Sequence, residues 1–333
     1  MIELLTFLLC VIILFILILA VALSIYIYDL IRNYITDTVE SVSRILPNNI
    51  EYEYTQINFN HIDQRILLSE INHTKKAQIH SNIISQFLIY CNMAAYNLYG
   101  NYEVIFPNYM IIEKNISNIG YVFKLTGVDE DIHVFTFRGT RTGVELVNDL
   151  DSVQVTLNGN KKCKVHRGFY RLWKDNLLHI REYVNKYKDK NIKIYLTGHS
   201  LGAANAIFTG LYLSKYFKDI YVENFAAPKI GNYEFIKLVD KKIKHNYTHI
   251  NSNDVVTDLP PSTLHTIGDT WYYAKFNNTI VYDIQMGSVS RNHRLDTYLY
   301  GLEQIESGEI DKDLNISSCV WIRPALFLNF LIL

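Results

Sequence analysis

The sequence has little cysteine and no excess of charge of either sign. Its 333 residues include 4 cysteines, too few for a disulfide-based fold, and no two have the spacing of a zinc site. Lys and Arg number 32 against 33 Asp and Glu, which excludes a protein held on nucleic acid by bulk positive charge. Glycine (15) and proline (6) are scarce, which excludes collagen-like and linker proteins. Apolar residues make up 49%, which excludes a disordered chain.

The apolar residues are concentrated near the start of the chain. Residues 4–28 carry no charge, and about 20 apolar residues are enough to span a hydrocarbon core. No Lys or Arg precedes the run, and the run is longer than the roughly 7–15 apolar residues of a secretory signal. Residues 1–30 are therefore predicted to be an uncleaved transmembrane anchor, which places the protein in a membrane as a single-pass protein. A cleaved signal peptide is the alternative.

Two features disagree on the orientation of this anchor. Arg32 and Arg44 follow the run, which favours a cytosolic position for the rest of the chain. Five Asn-x-Ser/Thr triplets would instead suit a lumenal or exterior face, namely those at Asn72, Asn115, Asn246, Asn277 and Asn315. The orientation stays open.

Beyond the anchor the chain reads as one α/β domain. Residues 31–76 have no clear periodicity and are predicted to be a juxtamembrane region, while 77–333 form the domain. A hairpin is predicted over 121–126 and 133–137, and helices over 168–187, 201–216 and 233–244. Strands are predicted over 192–196, 220–225 and 247–250. Strands that alternate with helices indicate a mostly parallel sheet with helices on both faces.

A motif for nucleophilic chemistry follows the strand over 192–196. Gly198-His199-Ser200-Leu201-Gly202 has the pattern of the G-x-S-x-G elbow, a tight strand-to-helix turn that exposes the Ser hydroxyl. The glycines allow neighbouring backbone to approach, and the amino terminus of the next helix favours developing negative charge. A Ser that merely caps a helix is the alternative. The strand–helix context favours the elbow, with Ser200 as the nucleophile.

A serine nucleophile needs a base, and the base needs an acid that orients it. Asp254 follows the strand over 247–250, and Asp258 competes with it, although two prolines after Asp258 indicate a turn that leads away. His249 lies inside the strand, His265 lies in a Ser/Thr/Pro loop, and His293 opens a helical run. Because a solvated turn Asp and a surface His are ordinary alternatives, these residues alone leave the acid and the base open.

These motifs together resemble the class 3 lipases, the family typified by fungal triacylglycerol lipases. The resemblance covers about residues 77–307. The matching stretches occur in family order: FRGT (137–140), VHRGFY (165–170), LTGHSLGAANA (196–206), NFAAPKIGN (224–232), NDVVTDLPP (253–261) and NHRLDTYLYG (292–301).

The resemblance implies an α/β-hydrolase-type fold and assigns roles. Ser200 would be the nucleophile, Asp254 the acid and His293 the base. Thr140 and the backbone N–H of Leu201 would form the oxyanion hole. No metal and no organic cofactor is implied. The N-terminal anchor and residues 29–76 depart from the secreted members of the family, which bears on the cellular context more than on the chemistry.

Residues 142–150 are predicted to form a short amphipathic helix, because Val144, Val147 and Leu150 recur at a spacing of three. The helix would be either a mobile lid over the serine or an element packed permanently on the core.

The sequence thus predicts a membrane-anchored serine hydrolase that cleaves acyl esters of lipids through an acyl-enzyme. Its expected partners are the lipid substrate and the membrane, without nucleic acid or an obligate protein partner. A phospholipase or short-chain esterase is the alternative within the same class. An inactive lipase-like protein that binds lipid is the alternative from another class.

Overall fold

The computed structural model describes residues 56–59, 62–73, 81–97, 103–126, 131–140, 152–266 and 269–307. The chain divides into two compact units, Met1–Glu51 and Tyr52–Leu333, and every described residue lies in the second. The predicted anchor and the predicted lid helix over 142–150 both lie outside the described residues. Within those residues, no helix is long and apolar enough to cross a membrane.

The strands and helices are numbered here in chain order. The strands are β1 (Gln56–Asn58), β2 (Glu103–Ile105), β3 (Met110–Ile116), β4 (Gly120–Leu125), β5 (Asp131–Phe137), β6 (Gln154–Leu157), β7 (Asn160–His166), β8 (Ile192–His199), β9 (Ile220–Phe225), β10 (His245–Asn251), β11 (Thr263–Thr266), β12 (Asp269–Tyr272) and β13 (Thr279–Tyr282). The helices are α1 (Gln64–His73), α2 (Asn82–Tyr96), α3 (Arg167–Asp175), α4 (Leu177–Tyr187), α5 (Leu201–Leu213), α6 (Tyr233–Lys242), α7 (Val289–Asn292) and α8 (Leu295–Ser307), with a 3-10 helix at Val255–Asp258.

The described residues form a central seven-stranded sheet in the order β13-β10-β9-β8-β5-β4-β3. The pairs from β13 to β5 are all parallel, whereas β3, β4 and β5 pair antiparallel. The mostly parallel sheet, the alternation with helices and the β4–β5 hairpin predicted from the sequence are therefore confirmed. Because parallel strands end at the same edge, the loops after β8 and β10 lie at one end of the sheet.

Helices cover both faces of this sheet, and an apolar core lies under each. Phe169 of α3, Tyr183 of α4 and Phe235 of α6 belong to one core, together with apolar residues of α5. The opposite core includes Phe87 of α2 and Tyr298 of α8. All eight residues of β8 are buried, as expected of a central strand that is covered on both sides.

The domain begins earlier than the sequence predicted. β1 and α1 lie inside the range 31–76 that was assigned to a juxtamembrane region, but both pack into the domain. Ile57, Phe59 and Leu67 are at most 3% exposed, and the ring of Phe59 lies 6.0 Å from that of Phe87 on α2. β1 pairs with β2, which lies far along the chain. A strand of three residues is too short to show an apolar alternation, and its partner is distant along the chain, so the sequence pattern did not indicate it.

The structure also changes the interpretation of two sequence features. The helix predicted over 168–187 is divided into α3 and α4 at Asn176, whose backbone leaves the helical region and whose side chain bonds to the Leu172 carbonyl. Among the Asn-x-Ser/Thr triplets, Asn246 is fully buried in β10, so the folded domain does not present it for glycosylation. Asn115 and Asn277 are exposed.

Candidate active site

The turn between β8 and α5 has the strained geometry of a nucleophile elbow. Ser200 has φ 56° and ψ −126°, a region that costs a residue with a side chain about 1–3 kcal/mol. A Cβ on Gly198 would lie 2.2 Å from the Gly202 backbone, and one on Gly202 would lie 2.1 Å from the Phe137 carbonyl oxygen. Only glycine fits either position. The backbone therefore packs closely on both sides of Ser200, and this packing holds the residue in its strained conformation.

The hydroxyl of Ser200 lies at the amino terminus of α5, where the helix dipole favours negative charge. The Ser200 N–H donates to the Phe225 carbonyl at 3.1 Å, which ties the elbow to β9. The residue is only 1% exposed, and within the part of the chain that the structure describes, its Oγ has no hydrogen-bond partner. A buried hydroxyl without a partner is held ready for a substrate or a base.

Asp254 and His293 meet as a buried acid–base pair, although they are 39 residues apart. Nδ1 of His293 lies 2.8 Å from Oδ2 of Asp254, and the two side chains are 7% and 0% exposed. A carboxylate can only accept, so Nδ1 carries a proton, and in the neutral ring Nε2 then keeps its lone pair. Among the described residues, Nε2 of His293 has no partner. The imidazole is thus in the tautomer that a general base requires.

Further donors fix the carboxylate of Asp254. Its Oδ1 accepts from the Val256 N–H at 3.0 Å, and its Oδ2 accepts from the Tyr298 hydroxyl at 2.8 Å. The Tyr298 oxygen in turn accepts from the Asn251 N–H at 3.1 Å. Burial and the charge of Asp254 raise the pKa of Tyr298 well above its ordinary value, so this hydroxyl stays a donor. Tyr298 was not among the site residues predicted from the sequence, although it lies five residues after His293 in the NHRLDTYLYG stretch.

The competing acid and bases are engaged elsewhere. Asp258 forms an ion pair of 2.6 Å with Lys275. His265 is exposed and bonds to Thr270 within the β11–β12 hairpin. The third candidate, His249, is buried in β10 and lies 2.7 Å from the carboxylate of Glu223. None of these three lies in the acid–base pair.

A buried lysine holds the loop that follows Asp254. Lys229 is 4% exposed, and its ammonium group donates to the carbonyls of Asp258 and Pro260 at 2.7 and 3.1 Å and to the Ser262 hydroxyl at 3.1 Å. A buried ammonium group is tolerated when its protons have acceptors. Lys229, in the NFAAPKIGN stretch, therefore fixes the course of the loop just after the acid.

The end of β5 brings the predicted oxyanion residue to the elbow. A Cβ on Gly139 would lie 2.9 Å from the His199 carbonyl oxygen and 3.0 Å from Cβ of Ser200, so the backbone after β5 touches the elbow directly. Thr140 is the next residue and is half-buried. Leu201, the other predicted donor, is the first residue of α5. Leu201 thus follows Ser200 directly along the chain, and Thr140 follows the glycine that contacts the elbow.

The arrangement suits acyl transfer through a serine nucleophile. A buried hydroxyl, an imidazole with a free lone pair and a fixed carboxylate are the groups that this chemistry uses. Within the described residues, no three His, Cys, Asp or Glu side chains are placed to hold a metal ion together.

A mostly parallel sheet with a strained serine elbow and an acid–base pair at one end defines an α/β-hydrolase-type protein. Residues 134–264 match the family model described as Lipase (class 3). This range contains Thr140, Ser200 and Asp254, and His293 follows it. Over residues 134–264 the chain is similar to the class 3 lipases.

Curated relatives match a part of the chain around the site. The chain is 31% identical over 148 residues to phospholipase A(1) DAD1, chloroplastic, of Arabidopsis thaliana, which covers 38% of this chain and 33% of the relative. It is 29% identical over 143 residues to secreted mono- and diacylglycerol lipase 1 of Fusarium solani, which covers 41% and 43%. The chain thus spans less than half the length of these relatives. A solved lipase from Rhizopus microsporus var. chinensis is 25% identical with a TM-score of 0.39, over 46% of this chain and 56% of that one.

Proposed function

We propose that this protein is a serine hydrolase that cleaves acyl esters of lipids. The observation that carries the proposal is the 2.8 Å contact between His293 and Asp254, buried in a class 3 lipase domain that also holds Ser200 in an elbow. Ser200 is the nucleophile, His293 the general base and Asp254 the acid that orients it.

In the first half-reaction, Oγ of Ser200 attacks the ester carbonyl and its proton passes to Nε2 of His293. Asp254 stabilises the imidazolium that forms, since its carboxylate already accepts the Nδ1 proton. Negative charge develops on the former carbonyl oxygen, where Thr140 and the Leu201 N–H donate. Each such donor contributes a factor of about 10²–10³ in rate.

Collapse of the tetrahedral intermediate breaks the ester C–O bond. His293 gives its proton to the departing alcohol, and the acyl group stays on Ser200. In the second half-reaction, water attacks the acyl-enzyme and gives a proton to His293, which then returns it to Ser200. The fatty acid leaves, and the enzyme regains its starting protonation.

The similarity to class 3 lipases and the names of two relatives support the proposed substrate class. One relative is named a phospholipase A(1) and another a mono- and diacylglycerol lipase, and both names denote cleavage of acyl esters of glycerolipids. Triacylglycerol lipase-like hydrolysis is the leading candidate, and phospholipase activity is the second, supported by the relative that is named a phospholipase A(1).

Membrane attachment is part of the proposal. Residues 4–28 are long and apolar enough to span a bilayer, and an active site tethered beside a bilayer meets lipid at high local concentration. Removal of residues 1–30 should therefore leave kcat on a soluble short-chain ester nearly unchanged and lower activity on bilayer lipids. Carbonate extraction is the direct check, because recovery of the full chain in the soluble fraction would show that the run is not an integral anchor.

The activity itself is tested with a panel of glycerolipids and phospholipids given to the full chain in detergent. Ser200→Ala should abolish turnover and labelling by a fluorophosphonate. Ser214→Ala is the matched control, because Ser214 caps the opposite end of α5, and it should leave both unchanged. A chain that binds lipid but neither hydrolyses nor labels would establish the inactive lipid-binding alternative.

A further inference from the structure

The residue between Gly198 and Ser200 in the elbow is bonded at both ring nitrogens. His199 is 5% exposed. Its Nδ1 lies 2.7 Å from the Tyr96 hydroxyl, and its Nε2 lies 2.7 Å from the backbone carbonyl oxygen of His293. Tyr96 comes from the end of α2, 103 residues before His199. His199 thus joins the elbow to the residue proposed as the base.

The directions of these hydrogen bonds follow from the groups involved. A carbonyl oxygen can only accept, so Nε2 of His199 must carry the proton. In a neutral ring Nδ1 is then an acceptor, and the Tyr96 hydroxyl donates to it. The Tyr96 oxygen can therefore accept, and it receives the Gly139 N–H at 3.0 Å. One series of three hydrogen bonds, all donated in the same direction, runs from the Gly139 N–H through Tyr96 and His199 to the His293 carbonyl.

This series of hydrogen bonds requires a neutral His199. Burial lowers the pKa of His199 well below its ordinary value, and the nearby His293 lowers it further. The rings of His199 and His293 are 4.7 Å apart, so a second charge there would oppose the imidazolium that the reaction forms on His293. The N–H of Gly139 is already used in this series of hydrogen bonds. Within residues 137–140, the role of oxyanion donor is therefore left to Thr140.

We infer that Tyr96 and His199 are positioning residues that fix the base relative to the oxyanion stretch; the inference rests on the proposed hydrolase function. Both ends of this series of hydrogen bonds are backbone groups, the Gly139 N–H and the His293 carbonyl. Neither Tyr96 nor His199 touches a reacting atom, and both act through the residues they hold. The transition state needs Thr140 and His293 placed on either side of Ser200, so their mutual spacing affects kcat more than KM.

Tyr96→Phe tests this inference, because it removes one oxygen and keeps the ring. The full chain in detergent is assayed on a soluble short-chain ester, with the rate expressed per site labelled to completion by a fluorophosphonate. The kcat should fall about tenfold, as expected when one buried hydrogen bond is lost, with KM within about twofold of wild type. Tyr233→Phe is the control, since Tyr233 is 57% exposed on α6, and it should change neither constant.

Rescue at His199 gives a second readout. His199→Gln keeps an N–H donor near the Nε2 position, whereas His199→Ala keeps none, so the Gln variant should retain at least about fivefold more kcat than the Ala variant. The double variant Tyr96→Phe/His199→Gln should lose little more than the more severe single variant, because the two residues act as one unit.

The outcomes separate the two claims. A wild-type chain that hydrolyses no ester refutes the proposed function. A wild-type chain that is active while Tyr96→Phe keeps full kcat per labelled site refutes the positioning role, as does a loss that falls on KM alone. If Tyr96→Phe does not fold, the comparison of Gln with Ala at position 199 decides, and equal kcat values for those two variants would overturn the inference.

Discussion

Tyr298→Phe should separate the support of the catalytic acid from the acid itself. The hydroxyl donates to Asp254 at 2.8 Å and accepts from the Asn251 N–H at 3.1 Å. The variant removes a hydrogen bond to a charged group, worth about 1.5–3 kcal/mol, and leaves the Asn251 N–H buried without that acceptor. We therefore expect the free energy of unfolding to fall by about 2–3 kcal/mol. Asp254 keeps its donors from Val256 and His293, so the acid–base pair survives in the variant.

The effect on catalysis should accordingly be moderate. A less firmly held Asp254 orients His293 less well, and we expect kcat on a soluble ester to fall about tenfold, far less than the loss of a triad member. Thermal unfolding and steady-state kinetics on the full chain in detergent measure both effects. Tyr300→Phe is the control, since Tyr300 lies two residues further along α8 and is 37% exposed. Stability equal to the Tyr300 variant would show that the bond from Tyr298 contributes nothing, and the reasoning from the geometry would be wrong.

Three other perturbations have defined outcomes. His293→Ala should lower ester turnover by several orders of magnitude because the triad acts as a unit, whereas His265→Ala should be mild; the reverse order would contradict the assignment of the base. Burial lowers the pKa of His133 to about 4, below about 6.5 in an unfolded chain, so the unfolded state binds more protons between these values. The free energy of unfolding should therefore fall by at most about 3 kcal/mol as the pH falls from 6.5 to 4, and urea titrations of His133→Gln should lose this component. Lys229→Met should lower stability by about 2–4 kcal/mol, since it removes three hydrogen bonds of a buried ammonium group, one of them to the buried Pro260 carbonyl, while melting of the exposed Lys237→Met control should match wild type.

Local patterns made much of the sheet predictable. The strand over 220–225 occurs with the predicted bounds, and the strands over 192–196 and 247–250 extend by a few residues at their ends. These strands are buried and rich in β-branched and aromatic side chains, so their pattern is continuous. The β6–β7 hairpin was not predicted. Its first residues on β7 are exposed, and an exposed polar strand carries no apolar alternation.

Prediction of the candidate site followed the same division between local and distant information. The elbow lies within five consecutive residues, and its glycines are required by contacts below 2.3 Å that a Cβ would make, so a short motif carries the whole turn. Which Asp and which His approach each other depends on the fold. The residues alone left Asp254 and Asp258 open, and only the family resemblance selected between them. In the structure the Lys275 ion pair occupies Asp258, a contact that no spacing along the chain indicates.

The residues that hold the site are harder to predict than those that would perform the chemistry. A nucleophile, a base and an acid are restricted to a few residue types, so a search by type and order finds candidates. A holding residue can be any side chain with a suitable polar atom, and Tyr96 and Tyr298 are 2 of 25 tyrosines. What distinguishes them is a pair of hydrogen bonds. Each hydroxyl accepts from a backbone N–H and donates to a side chain, His199 for Tyr96 and Asp254 for Tyr298. That N–H belongs to Gly139 in one case and to Asn251 in the other, and these residues lie at the ends of β5 and β10. The two tyrosines can therefore be recognised as holding residues only from the folded sheet.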